Sequence, residues 1–336
     1  MAGGGGKYLN KVLDKLIFKI NCFCDNDKKK WKTCINKIRI ISPSDLASIY
    51  NNNKLVCIAS SWAKEIAKKL SEMGIKNYID LTYWDNRWKD NYNYQKIFSN
   101  INNLKRVYKY LEDDNSKSIY TSVIEYRLSM DPVYLIISEY EQYFHSMVKP
   151  EINDNIIDAD AYTGDTAIKF CRNLKNKCKI FSFEPEDTNY KCLLRNITNE
   201  DFKNNIIPLK AGLWRENTFL SFSTQTEKNV NSKSSHISSD GNVKVKVIIL
   251  DSFVKENKII PSLIKLDIEG AEYEAIQGAI KTIQTFKPKL QICIYHNVED
   301  LWRIPILIKK IDPNYYFYIG HHSQNLVDTV LYAANK

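Results

Sequence analysis

Acids and an imidazole stand where apolar runs of this sequence end. Asp158 ends Asn155-Ile-Ile and opens Asp158-Ala-Asp-Ala-Tyr-Thr-Gly-Asp-Thr166. Glu184, followed by Pro185, ends Lys179-Ile-Phe-Ser-Phe183; Asp267 ends Ser262-Leu-Ile-Lys-Leu266, with Glu269 and Glu272 just beyond; His296 follows Lys289-Leu-Gln-Ile-Cys-Ile-Tyr295. A carboxylate at a strand tip can accept hydrogen bonds from both hydroxyls of a ribose. Glu184 lies twenty residues after Gly164, near the ~20-residue spacing from a cofactor loop to its ribose acid. A hydroxyl acceptor must lose a proton, which calls for a general base. Asp267 and His296 are the candidates, His296 being favoured because an unperturbed imidazole titrates near neutrality. Asp267 and Glu269 suit acceptor hydroxyls as an alternative. The same two acids have the oxygen ligands magnesium prefers, but acids two apart are commonplace, and no metal is expected. Glu272 in a helix's first turn also suits the helix dipole, worth ~0.3–1 kcal/mol. His321 and His322 follow a later run and extend the set of imidazoles at strand ends.

The elements that must position these groups alternate. Besides the runs above, Asn205–Leu209, Tyr315–Ile319 and Thr329–Ala333 read as strands separated by helical segments. Continuous apolar strands between helices predict an α/β fold with a parallel sheet covered on both faces. Ligands of such sheets sit at the carboxyl ends of the strands, where the acids lie. The polar stretch Ser221–Asn242 predicts a mobile surface loop or hairpin, a candidate lid. Upstream, residues 7–40 carry helical apolar spacing through Leu9, Val12, Leu13, Leu16, Ile17 and Ile20. A small Rossmann-like unit follows: a strand over Lys54–Ala59, a helix Trp62–Met73 capped by Ser60 or Ser61 and ended by Gly74, and a strand over Lys76–Asp80. Its turn, Ala59-Ser60-Ser61, lacks the glycine that lets backbone approach a pyrophosphate, which argues against dinucleotide binding there. Residues 99–150 read as a helical, aromatic-rich bridge. The expected division is 1–98, 99–150 and 151–336.

A chain of 336 residues with 44% hydrophobic content has material for two cores. The net charge of +9 is spread, densest at Lys28-Lys29-Lys30 and Lys32. Without a basic stripe interleaved with aromatics it does not indicate a nucleic-acid partner, though it favours anionic acceptors such as nucleotide-sugars. Of the eight cysteines, Cys22, Cys24 and Cys34 cluster but complete no four-ligand zinc set, so reduced thiols are expected. No apolar run reaches membrane-spanning length, and Met1–Gly6 has no signal core. The expectation is a cytoplasmic protein without stable membrane insertion. The aromatic-rich first half offers a surface for a homo-oligomer.

Six segments resemble the FkbM-type methyltransferases: Asp158–Thr166, Phe183-Glu-Pro185, Ala211-Gly-Leu-Trp214, Leu250-Asp-Ser-Phe253, Ile264-Lys-Leu-Asp-Ile-Glu-Gly-Ala-Glu272 and Tyr295-His-Asn-Val-Glu-Asp-Leu-Trp302. The resemblance covers about residues 140–334, and Lys265–Glu272 is its most specific part. Asp113-Asp-Asn-Ser116, Tyr126-Arg-Leu128 and Gln142-Tyr-Phe144 resemble the helical extension of longer members. The resemblance implies a class I methyltransferase Rossmann-like sheet of seven strands, with a smaller α/β and helical amino-terminal domain before it. It implies S-adenosyl-L-methionine as donor and O-methylation of a sugar or polyketide hydroxyl, with a sugar, nucleotide-sugar or glycan as acceptor. Carried over by position, cofactor contacts fall on Asp158, Asp160, Ala161, Tyr162, Thr163, Gly164, Asp165, Thr166, Glu184, Pro185, Gly212, Leu213, Trp214 and Asp267. Catalytic roles fall on His296, Asp267 and Glu269. One departure stands out: the family pattern Asp-x-Gly-Ala-Tyr-x-Gly-Asp-Thr has glycine where this chain has Asp160. Two other classes remain: a carbohydrate-pathway scaffold with weakened or lost donor binding, and a nicotinamide-dependent oxidoreductase, which the glycine-poor loops disfavour.

Overall fold

The computed structural model describes residues 19–82, 89–223, 236–237, 241 and 243–335. The helical spacing of 7–40 is not realised over its described part. Residues 19–41 instead form β1 (Phe23–Cys24), β2 (Cys34–Ile35) and β3 (Ile38–Ile41), in the order β1-β3-β2. The cause is local. Asp25 and Asp27 turn the chain by accepting from the backbone N–H groups of Asp27 and Lys29 at 2.9 and 3.0 Å. Asn36 and Lys37 take φ of 50° and 67°, the positive pair that a two-residue hairpin requires. Residues 7–18 of the expected helix lie outside the described residues.

The small Rossmann-like unit has its expected form. β4 (Val56–Ile58) and β5 (Tyr78–Asp80) are parallel and joined through the helix Ala63–Glu72. Ser60 does not cap that helix; its Oγ accepts from the Trp62 N–H at 3.2 Å, and Trp62 is the cap residue. The unit packs on a small core of Ile58, Ala63, Ala67, Leu70 and Ile75.

The helices Ile101–Tyr110 and Asp114–Ser129 are more than a bridge. Val107, Ile119, Val123 and Tyr126 join the same hydrophobic core as the large sheet. That sheet contains β6 (Asn155–Ala159), β7 (Lys179–Phe183) and β8 (Ile206–Leu209). A second, four-stranded sheet follows: β9 (Gly212–Leu213), β10 (Thr218–Ser223), β11 (His236–Ile237) and β12 (Val243–Ile248). The polar stretch Ser221–Asn242 therefore begins inside an antiparallel ladder of β10 with β12 and β11. Its residues 224–235, 238–240 and 242 lie outside the described residues. The large sheet resumes with β13 (Leu263–Leu266), β14 (Lys289–Cys293), β15 (Tyr315–His321) and β16 (Thr329–Asn335).

The seven strands run in the order β15-β16-β14-β13-β6-β7-β8. The sheet is mixed rather than wholly parallel: β16 is antiparallel to both neighbours. The link His322–Asp328 is too short for a crossover, so β16 must return as a hairpin. The edge strand β15 is covered by the helical segment, where Glu112 N donates to Phe317 O at 3.0 Å and Ile319 N donates to Ser116 Oγ at 3.0 Å.

Chain order reverses between β6 and β13, which leaves the crevice where ligands of open α/β sheets bind. One ion pair crosses that reversal. Lys265 Nζ lies 3.0 Å from Asp158 Oδ1, both nearly inaccessible, and also donates to the Ala159 and Asp160 carbonyls at 3.2 Å each. Removing one partner of such a pair strands the other charge, at a cost of ~3–5 kcal/mol. Lys265→Met is expected to lower the unfolding free energy in urea by about that amount, with Asp158→Leu added to it recovering most of the loss. A loss within the range of exposed pairs, under ~1 kcal/mol, would show that the pair does not hold the two strands.

Candidate functional site

The loop after β6 is shaped by its backbone. Ala161 N donates to Phe183 O at 2.9 Å and Gly164 N to Ala161 O at 2.7 Å. Gly164 has φ +90°, and a Cβ there would meet Leu193 Cδ1 at 2.7 Å, so only glycine lets the next helix close on its neighbour. Thr163 O accepts from Asn196 Nδ2 at 2.8 Å. Asp165 and Thr166 begin the helix Asp165–Asn173. Glu184, 1% exposed at the tip of β7, faces this loop. Its Oε2 accepts from Tyr162 N at 2.9 Å and its Oε1 from Glu186 N at 2.8 Å. Pro185 packs beside Gly212. Leu213 is buried in the core, and Trp214 N donates to Ile248 O at 3.0 Å.

Asp160 occupies the glycine position of the family pattern with φ 61°, a left-handed conformation that aspartate tolerates better than most residues. Its carboxyl lies within electrostatic reach of that of Glu184. Burial, then the facing Asp160, raises Glu184. Burial also raises Asp160, opposed by Lys265 and reinforced by Asp267. Two neighbouring carboxyls in a poorly solvated site disfavour ionising together, because like charges repel there.

Asp267, just past β13, accepts from Tyr143 OH through Oδ2 and from Tyr295 OH through Oδ1, each at 3.0 Å. Burial alone would raise its pKa; Lys265, His296 and hydrogen bonds outweigh burial and hold it below the usual carboxylate range. The following turn has Glu269 at φ 58° and Gly270 at φ 99°. A Cβ on Gly270 would stand 3.1 Å from Asn297 Nδ2, which donates to Gly270 O at 3.2 Å and to Asp300 Oδ2 at 3.0 Å. Asn297 thus ties the turn to the end of β14.

The imidazole of His296 is the centre of the cluster. Its Nδ1 lies 2.9 Å from Glu272 Oε1, whose residue is wholly buried, and that oxygen also accepts from Ile268 N at 2.8 Å. A carboxylate oxygen against Nδ1 favours the ring proton on that nitrogen, which leaves Nε2 as the basic one. Nε2 lies 3.7 Å from Asp267 Oδ1 and 3.6 Å from Glu269 Oε2, ion-pair distances longer than a hydrogen bond. Asp267, Glu272 and His296 offer ligand atoms within 4.8 Å of one another. Glu272 contacts Nδ1 and Asp267 approaches Nε2, so the three do not converge on one imidazole lone pair.

The structure thus brings together Asp160, Glu184, Asp267, Glu269 and His296. His321 and His322 belong elsewhere: His321 Nδ1 bonds Thr329 Oγ1 at 2.8 Å and His322 Nε2 bonds Tyr332 OH at 2.9 Å. Burial pushes them down to about 3 and about 4. Sequence reasoning left out several contributors. Glu272 was ambiguous between a helix-dipole acid and a member of the strand-tip set. Tyr143 and Arg127 sit in quoted segments without an assigned role. Arg127 is buried, donates to Tyr295 O at 3.3 Å and to Asn91, and Asn91 Nδ2 donates to His296 O at 2.9 Å. Asp328, after the turn from β15, carries no sequence signal at all. Burial, then Asp267, pushes it up to about 6, with His296 opposing.

The methyltransferase FkbM domain matches residues 158–321, and a C2185-like amino-terminal domain matches residues 3–79. The hexuronic acid methyltransferase AglP of Haloferax volcanii is 27% identical over 111 residues, spanning 32% of this chain and 44% of that protein. The chain therefore matches less than half the length of this relative. The crystal structure of the methyltransferase FkbM from Methylobacillus flagellatus KT superposes with a TM-score of 0.73 at 21% identity, over 94% of this chain and 83% of that one. At that identity the likeness is one of fold. The family match over residues 158–321, which hold most of the site, supports reading this part of the chain as an FkbM-type methyltransferase domain.

Proposed function

We propose that the chain is an S-adenosylmethionine-dependent O-methyltransferase acting on a hydroxyl of a sugar or glycan precursor. The observation that carries this reading is the Glu272–His296 pair, with Nδ1 2.9 Å from a buried carboxylate and Nε2 turned toward the strand-tip acids. Residues 158–166 and Glu184 would hold the cofactor, with Gly212 and Pro185 beside them. The residues suit it. Glu184 can accept from a ribose diol, and Asp160 and Asp267 are acids suited to a ligand with two positive centres. When bound, the cofactor supplies a sulfonium methyl group open to in-line displacement. On the protein's side, His296 Nε2 would accept the proton of the acceptor hydroxyl. Asp267, held by Tyr143 and Tyr295, and Glu269 orient the acceptor, and positioning of this kind supplies much of the rate. The name of the Haloferax relative supports a sugar as acceptor class.

His296→Ala is expected to lower kcat by about 10²–10⁴, with the dissociation constant for S-adenosylmethionine nearly unchanged. Glu272→Gln keeps an acceptor on Nδ1 but removes its charge, so kcat falls less and the acid limb of the pH–rate profile moves to lower pH. Unchanged turnover in His296→Ala removes it as the base.

A second reading rests on one specific observation: Asp160 stands at the glycine position of the loop with φ 61°, beside Glu184. If Asp160 keeps the diol from Glu184, the chain is a scaffold with weakened donor binding. Calorimetry with S-adenosylmethionine, S-adenosylhomocysteine and NAD separates the readings. Binding of either methyl-cycle nucleotide by the unaltered chain supports the enzyme; binding only after Asp160→Gly supports the scaffold; binding of NAD alone sinks both.

The carboxyl pair also predicts a pH dependence of stability. Raised folded-state values mean that the native chain keeps a proton which the unfolded chain releases above ~4. The contribution is complete below that pH and is lost as pH rises through the raised values. Urea denaturation should therefore show a downward slope of stability with pH above the ordinary carboxyl range, and Asp160→Gly should flatten it. An unchanged slope in that variant would show that the pair does not keep that proton.

A further inference from the structure

Resting on the reading just given, we infer that Tyr143 is a positioning residue of the reaction: its hydroxyl fixes Asp267 in the crevice, and Gln291 and Tyr332 hold Tyr143 in the strained backbone conformation from which it does so. Tyr143 stands in the turns that lead into β6. Its φ is 70°, a left-handed conformation that glycine, asparagine and aspartate visit and that a bulky residue enters only where its surroundings enforce it. Here side chains of the sheet hold both of its backbone groups. Tyr143 N donates to Tyr332 OH at 3.0 Å, and Tyr143 O accepts from Gln291 Nε2 at 2.8 Å.

These two side chains form one device. Gln291 and Tyr332 are direct partners in the antiparallel pair of β14 with β16, so they stand side by side on one face of the sheet. Both are wholly buried. They are the polar members of the otherwise apolar runs Leu290-Gln-Ile-Cys293 and Val330-Leu-Tyr-Ala333. Gln291 Nε2 also donates to Val148 O at 2.6 Å, and the Tyr332 hydroxyl bonds His322 Nε2 at 2.9 Å. His322, which lies outside the cluster around His296, thus steadies the clamp from behind.

The clamp aims the phenol. Tyr143 OH donates to Asp267 Oδ2 at 3.0 Å, and Tyr295 OH donates to Oδ1 at the same distance. The Tyr143 hydroxyl also lies 3.5 Å from Cys293 Sγ, two residues along β14 from Gln291 and therefore on the same face. Its ring is set against Lys265, whose Nζ is 5.6 Å from the ring centroid, and edge-on to Phe170 at 6.3 Å. A carboxylate held at both oxygens cannot swing, and each hydroxyl donor favours its charged form. This divides the labour between the two candidate bases. Asp267 becomes a fixed, weakly basic acceptor of hydrogen bonds, and the imidazole is left to take the proton. Fixing matters, because a displacement of about 1 Å can cost on the order of a hundredfold in rate.

The test follows the Asp267 carboxyl by carbon-13 NMR in the full chain, labelled at aspartate Cγ and titrated with no ligand added. Asp267→Asn identifies the signal by removing it. Tyr143→Phe keeps the ring and is expected to move the Asp267 midpoint up by about 1 on the pH scale, because the charged form loses one of its two hydroxyl donors. Tyr332→Phe removes only the hydroxyl that holds the Tyr143 backbone. It is expected to move the same midpoint up by a smaller amount, and to add nothing in a chain that already carries Tyr143→Phe. A midpoint that ignores either single change overturns the inference. So does a Tyr332→Phe shift that simply adds to that of Tyr143→Phe, the outcome of a general loosening of the fold. Where Tyr332→Phe does not fold, Gln291→Met takes its place with the same expectation. The readout needs neither donor nor acceptor, which keeps the two failures apart: S-adenosylhomocysteine that does not bind in calorimetry counts against the donor reading and leaves the Tyr143 result as it stands.

Discussion

The buried contact between Lys265 and Asp158 is the constraint on which the site depends. It joins the two strands at which chain order reverses, so it sets the width of the crevice. Burial disfavours a lysine cation, yet Asp158, Asp267 and Asp160 outweigh burial and keep Lys265 charged. The same ammonium fixes the carbonyls of Ala159 and Asp160, which begin the cofactor loop. It also holds Asp267 ionised at the start of the acceptor side. One cation thus sets the position of both halves of the crevice and the charge of its central acid. A methionine in its place would fill the volume but release all three functions.

Backbone strain gathers in the same region. Asp160, Glu269 and Asp328 all have φ near +60°, and Tyr143 and Tyr162 are also positive. Each such residue costs on the order of 1–3 kcal/mol unless the surroundings enforce it. The enforcing contacts are visible: Lys265 on the Asp160 carbonyl, Asn297 on the Gly270 carbonyl, and His322 N on the Asp328 carbonyl. The left-handed turns re-aim side chains at the end of a strand. An extended continuation would send alternate residues to opposite faces of the sheet; the turns bring three carboxyl groups toward one imidazole.

This explains which parts of the site could be read in advance. The seven strands are legible because a strand buried on both faces needs a continuous apolar run, and four of these runs lead into an acid or an imidazole. Asp158, Glu184, Asp267 and His296 are therefore legible by position. The antiparallel course of β16 follows from the short His322–Asp328 link, a length that apolar content does not register. Glu272 was ambiguous because one position serves both the helix dipole and the imidazole, and only the 2.9 Å contact with Nδ1 separates the two. Asp328 was illegible because a loop acid acquires meaning only through the direction its backbone takes. The strands of residues 19–41 were missed because two Asx turns and an Asn-Lys hairpin override apolar spacing within a few residues.

The amino-terminal half then has a physical task in the site. His296 must keep Nε2 on the acceptor side, and Glu272 fixes only the ring. The main chain on either side of the ring is fixed by Arg127 on the Tyr295 carbonyl and by Asn91 on the His296 carbonyl. Arg127 lies on a helix whose preceding residue, Tyr126, donates to Asp80 Oδ2 at 2.6 Å, and Asp80 ends β5 of the small unit. A chain of buried polar contacts therefore runs from the Rossmann-like unit to the base. Its glycine-free turn, unsuited to a pyrophosphate, meets the hairpin that carries Asp328. What the unit contributes is rigidity: behind the imidazole through Asp80, Tyr126 and Arg127, and behind the β15–β16 hairpin through Ser61 and Asn325.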